Sequence, residues 1–172
     1  MKSVKIVLLA VVTALMVSCG TTRVVPISGR TQTLLVNDEQ VLSLSNQEYS
    51  NFMKSAKVST NSANTAMVKR EGQRLASAVE SYLKSNGLSS EVKNFSWEFN
   101  LVQNKEANAF CMPGGKIVVY EGLLPYTQNE ASLAIVLGHE IAHAVAKHSA
   151  EQMSTQIRNQ YGTQILGGVL EA

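Results

Sequence analysis

The chain holds three histidines, and all of them fall between His139 and His148. Two of them frame the run His139-Glu140-Ile141-Ala142-His143. Residues four apart on an α-helix are separated by about 40° in azimuth and about 6 Å along the axis. Both imidazoles therefore reach one metal ion if this segment is helical. Zinc suits a pair of neutral imidazoles and keeps open coordination positions in catalytic sites. Glu140 stands about 100° around from His139, beside such an ion. There it can take the proton of a metal-polarised water and pass it to a leaving amine. The implied chemistry is metal-assisted hydrolysis. His139 and His143 are the expected ligands of one zinc per chain, and Glu140 the expected catalytic group. The competing reading is a solvated helix face with two histidines, which the apolar neighbours disfavour. His148 comes nine residues after His139 and points to nearly the opposite side of a straight helix. A hydrogen-bonding or surface role is expected for it.

The elements around this run follow from its neighbours. Leu133, Val136, Leu137, Ile141, Ala144 and Val145 give a broad apolar helical face. Thr127 and Glu130 have capping-box spacing, so a helix is predicted from there to about Met153. Gly138 costs such a helix about 1 kcal/mol relative to Ala, which points to close approach of another backbone or of substrate. Upstream the period changes. Phe95, Trp97, Phe99 and Leu101 alternate with Ser96, Glu98 and Asn100, as in a half-buried strand. Residues 107–112 and 117–120 form two further strand candidates around the turn Pro113-Gly114-Gly115. Helices are expected at Ser45-Asn46-Gln47-Glu48, which matches a capping box, and over residues 66–84, ended by Asn86-Gly87. The stretch 156–172 is expected to be weakly helical. The fold class is α+β, with a small antiparallel sheet, read as a meander, before the histidine helix.

The 172 residues are 45% hydrophobic and 16% charged, with a formal net charge of +2. This excludes a disordered or collagen-like chain. Lys2 and Lys5 supply the whole of that +2. They precede an apolar run from Ile6 to Val17 that is too short to span a membrane and has the length of a signal-peptide core. Leu15-Met16-Val17-Ser18-Cys19 resembles a bacterial lipobox, with Met16 less usual at its place. Residues 1–18 are therefore expected to be a signal peptide and Cys19 to be lipidated; a plain secretory peptide is the alternative. Residues 19–33 read as a tether and residues 34–172 as the catalytic domain. Without Lys2 and Lys5 the chain is neutral, so no nucleic-acid partner is expected. Cys111 is left as the one unmodified cysteine, and no intrachain disulfide is expected.

Two longer segments carry a resemblance. The run from Asn108-Ala109-Phe110-Cys111-Met112-Pro113-Gly114-Gly115 through Leu124 is one, and the run from Glu130 through His148 is the other. Both are similar to a gluzincin family that contains the CAAX prenyl endopeptidases, the HtpX-type membrane quality-control peptidases and the BepA- and LoiP-like periplasmic peptidases. The likeness spans about residues 40–155. It implies a zincin-like domain and a zinc-dependent endopeptidase, with His139 and His143 as ligands and Glu140 as the catalytic glutamate. It also matches Asn108, Ala109 and Phe110 to an edge strand beside the cleft, which can hold an extended substrate by main-chain hydrogen bonds. A purely structural hairpin is the alternative for these three. Cys111 departs from the apolar residue expected there. It reads as a buried thiol, the alternative being a thiolate that reaches the zinc.

The resemblance also implies a third ligand, a glutamate on a later helix in a Glu-Ala-Asp-like motif. Glu151 lies too far along the same helix, and Glu171 lacks the flanking pattern. The catalytic domain is therefore expected to continue past Ala172, and this chain alone to be poorly active. The expected role is degradation of misfolded envelope proteins by a lipid-anchored enzyme facing the periplasm. Gly20 rather than Asp after Cys19 favours the outer membrane, by analogy with enteric sorting. The alternative is a lipoprotein chaperone or assembly factor for outer-membrane proteins.

Overall fold

A three-stranded sheet with helices on both faces organises residues Asp38–Ser149, the larger of two compact units. The computed structural model describes residues 20–170, with side chains up to residue 161. The proposed signal peptide, Cys19 and Glu171 lie outside the described residues. None of the described helices is long and apolar enough to cross a membrane.

Helix α1 spans Asp38–Ser55 and α2 spans Ser62–Ser85. A single turn α3 (Ser89–Val92) leads to strand β3 (Glu98–Val102), which follows β1 (Thr21–Val24) and β2 (Thr31–Leu34) in chain order. Strands β4 (Ala109–Met112) and β5 (Lys116–Tyr120) follow, then a short turn α4 (Leu124–Thr127), α5 (Glu130–Val145) and α6 (His148–Leu170). The α+β class is as expected, and β4 and β5 form the antiparallel hairpin before the histidine helix. The meander is corrected: β3 pairs with β5 in parallel, giving the order β3-β5-β4. The reason lies in the pattern of β5. Ile117, Val118 and Val119 are all fully buried, as befits a central strand covered on both faces.

Alternation sorts the sheet's side chains. Phe99, Leu101, Ile117 and Val119 pack with Val68, Ala76 and Leu83 of α2 and Leu133, Leu137, Ile141 and Val145 of α5. Val118, Phe110, Met112 and Tyr120 turn the other way, toward Tyr49, Phe52 and Met53 of α1. On that second face Lys116, almost fully buried, donates to Glu98 at 2.5 Å. Glu98 also accepts from the Tyr49 hydroxyl at 2.9 Å. The Lys116 bond foremost holds the Glu98 carboxyl below its ordinary range.

Two sequence expectations shift. Ser45 is not a cap: α1 begins seven residues earlier with acidic Asp38 and Glu39 in its first turn. The buried Ser45 hydroxyl donates to the Pro113 carbonyl at 2.7 Å. Helix α2 begins at Ser62, because the Asn61 side chain accepts from the Asn64 N–H at 3.0 Å; it ends at Asn86-Gly87 as expected. At Gly72 an added Cβ would lie 2.2 Å from the Phe99 ring. Gly72→Ala is therefore expected to destabilise the unit by about 1–3 kcal/mol through overpacking, although Ala is the better helix former. Urea unfolding checks this.

The smaller unit takes the described residues up to Asn37 and those from Ala150 onward. Residues 19–33, expected as a tether, include ordered backbone. Strand β1 (Thr21–Val24) pairs antiparallel with β2 (Thr31–Leu34). The threonines and valine of these runs favour a pleated conformation, and Gly29 takes φ +67° in the turn. Within this unit Arg30 makes a two-pronged ion pair with Glu151, at 2.5 and 2.6 Å. Ser154, fully buried, accepts from the Leu35 N–H at 2.9 Å.

Candidate active site

The histidine helix is fixed at its start by Asn129, whose side chain accepts from the Ser132 N–H at 2.9 Å. Thr127 was the expected cap; instead it closes α4, with its hydroxyl on the Leu124 carbonyl at 3.1 Å. Leu133, Leu137, Ile141 and Val145 recur every four residues and are all buried. This seam holds α5 against α2 and β4. His139 and His143 each come two residues after a seam residue, about 200° around the helix. They are consequently turned outward, His139 exposed and His143 half-buried.

Their Nε2 atoms lie 3.0 Å apart, with the rings nearly perpendicular at 84°. That spacing lets both nitrogens sit at the usual Zn–N distance of about 2.0–2.1 Å from one point. The donor set, two imidazoles presenting the same ring nitrogen, fits zinc. Among the described residues no third His, Cys, Asp or Glu joins them to complete a metal-binding group. Glu140, between them in sequence, is half-buried on the same helix.

The structure corrects the direction of His148. Helix α5 stops at Val145, and Lys147 takes the left-handed region at φ +53°. Few residues other than glycine adopt that conformation without support. Support is present: the Lys147 ammonium, mostly buried, pairs with Asp38 and, at 3.0 Å, with Glu91. The turn ends the straight-helix projection and swings His148 back. Its Nδ1 lies 2.5 Å from Nδ1 of His143, with ring centroids 4.7 Å apart. A hydrogen-bonding role was expected for His148, but not this partner. Neither Gly nor Pro marks the break, so no local sequence signal announced it.

Strand β4 borders the site. It is an edge strand, paired only with β5 in its sheet. The Tyr120 N–H donates to the Asn108 carbonyl at 3.0 Å. Alternation along an antiparallel ladder then turns the main-chain groups of Phe110 toward β5 as well. Those of Ala109 and Cys111 face the outer edge. The Phe110 ring is committed to the α1 side, edge-on to Phe52 and Tyr120 at 5.4 and 6.0 Å. The three expected contact residues thus divide: Ala109 offers backbone outward, while Asn108 and Phe110 hold the hairpin. Cys111, missed as an outward-facing position, shares the Ala109 register.

The Cys111 side chain packs against the α2–α5 cluster. Burial first, and then the Glu140 charge, push its thiol up to about 12. Cys111 is a neutral thiol at ordinary pH, in keeping with the buried-thiol reading. Gly138 has nothing within 4 Å of where its Cβ would stand. Close approach of another backbone is therefore not what requires a glycine there, among the described residues.

Comparison with known proteins adds to this geometry. The model of peptidase family M48 matches residues 62–171. "Metalloendopeptidase OMA1, mitochondrial" of Bos taurus is 31% identical over 131 residues, 75% of this chain and 24% of that protein. "Mitochondrial metalloendopeptidase OMA1" of Arabidopsis thaliana is 43% identical over 74 residues, 43% of this chain and 15% of the relative. "Beta-barrel assembly-enhancing protease" of Escherichia coli O157:H7 is 41% identical over 78 residues, 44% and 16% of the two chains. The matched stretches span less than a quarter of each of these relatives.

Proposed function

The chain belongs to peptidase family M48, and from that premise we propose that it acts as a zinc-dependent endopeptidase on unfolded proteins of the bacterial envelope. The observation that carries this reading is the pair of Nε2 atoms 3.0 Å apart on the outward face of α5, with Glu140 on the same helix. His139 and His143 would hold the ion. Bound there, zinc supplies Lewis-acid polarisation of the scissile carbonyl and of a water. Glu140 removes the proton of the attacking water and returns it to the leaving amine. The outward N–H and C=O groups of Ala109 and Cys111 hold the substrate backbone as an added strand, which favours extended, unfolded chains over particular side chains.

The envelope setting is supported by the residues before Gly20: the apolar run after Lys2 and Lys5, and the lipobox-like Leu15-Met16-Val17-Ser18-Cys19. A lipid on Cys19 tethers the chain to a membrane, facing the periplasm, with the outer membrane favoured by Gly20. The name of the E. coli relative fits an envelope substrate. The second reading, a lipoprotein chaperone or assembly factor with weak or no proteolysis, draws on that same name.

Removing the metal tests the proposal. The low cleavage of a labelled unfolded protein expected of the purified chain should stop with a chelator and return on adding zinc. Cleavage that survives complete metal removal would refute it. The glycine before His139 gives a further expectation. Gly138→Ala should raise helix stability by about 0.5–1 kcal/mol while lowering kcat/KM, because the added methyl meets substrate rather than protein. A thermal melt and a cleavage assay read the two effects separately.

A further inference from the structure

The turn after α5 brings a third imidazole to the histidine pair, and its geometry differs from that of a ligand. His148 meets His143 through Nδ1, the ring nitrogen on the side away from His139. A hydrogen bond between the two Nδ1 atoms takes one proton, which either ring could carry. Only the form with the proton on His143 leaves the Nε2 lone pair of His143 free to hold a metal. A hydrogen bond to the non-ligating nitrogen is the usual way in which a metal-bound imidazole is fixed in tautomer and orientation.

We propose that His148 is a positioning residue for the metal centre: its Nδ1 accepts the Nδ1–H of His143 and so aims the His143 Nε2 at the ion shared with His139. This rests on the metallopeptidase reading and deepens it. The contact is built by the backbone. Lys147 sits at φ +53° with its ammonium held by Asp38 of α1 and Glu91 of α3. Two elements distant in sequence thus stabilise the one conformation that returns His148 to His143. An acceptor fixed in this way restricts the His143 ring to the geometry that binds metal, before the metal arrives.

The test uses the purified chain and zinc alone. Wild-type affinity is measured by competition with a chromogenic chelator, beside His148→Leu and His148→Asn. The leucine variant removes the acceptor at similar volume. The asparagine variant places an amide oxygen near the former Nδ1. His148→Leu is expected to weaken zinc binding about 10–100-fold, and His148→Asn to recover most of that loss. In the zinc-loaded wild type, proton NMR should show a downfield, exchange-protected Nδ1–H resonance from His143 that is absent in His148→Leu. A merely structural role would lower stability without moving that resonance or being rescued by Asn. Equal zinc affinity in wild type and His148→Leu, or no such resonance in the wild type, overturns the inference and leaves the metallopeptidase reading standing. A wild-type chain that takes up no zinc at all overturns both.

Discussion

Glu140→Gln is expected to reduce peptide cleavage by about 10²–10⁴-fold, the range that general acid–base catalysis contributes. The amide has nearly the same shape, so the helix and the two imidazoles stay in place. What disappears is a group that accepts the water proton and delivers it to the amine. Zinc content should be unchanged, because among the described residues Glu140 does not join His139 and His143 in a metal-binding group. A quenched peptide assay with parallel metal analysis reads both. The same variant separates the two functional readings. A chaperone that binds unfolded chains without cutting them keeps its effect in Glu140→Gln, whereas a peptidase loses it. Retained cleavage in this variant would remove Glu140 from the chemistry.

Leu137→Ala carries the largest expected effect on stability. Leu137 is fully buried in the seam of α5, between the sheet and α2. Truncating a buried leucine in a packed core costs about 2–5 kcal/mol, partly for the lost transfer energy and partly for the cavity left behind. That is a large share of the stability of a small unit. His139 follows two residues later, so loss of the anchor also loosens the site. Ile135 on the same helix is 74% exposed, and Ile135→Ala is expected to change stability by less than about 0.5 kcal/mol. Denaturant unfolding of the two variants makes the comparison. Similar losses at both positions would contradict the assignment of the buried face.

The part of the site legible in the sequence is the part set by helical geometry. The spacing of His139, Glu140 and His143, read with the apolar positions around them, was enough to put the imidazoles on one outward face. The hairpin Ala109–Tyr120 was also legible, because Gly114 and Gly115 take φ +88° and +84° in its turn, where other residues are strained. Long-range partners were not legible. The parallel union of β3 with β5 depends on the path through the segment between them, which alternation within each strand does not report. The break at Lys147 depends on Asp38 and Glu91, 109 and 56 residues away in the chain. A lysine in the left-handed region has no local signature, so the straight-helix projection sent His148 to the wrong side. Ser45 shows the same limit: a Ser-x-x-Glu run marks a helix start only if the chain before it is not already helical. Here Asp38 begins the helix first.

X-ray absorption at the zinc edge of the purified chain tests the central claim most directly. The account predicts bound zinc whose nearest shell includes two imidazole nitrogens at about 2.0–2.1 Å, and loss of that imidazole signal in the His139→Ala and His143→Ala variants. A chain without zinc, or a zinc shell free of imidazole and unaltered by both substitutions, would contradict it.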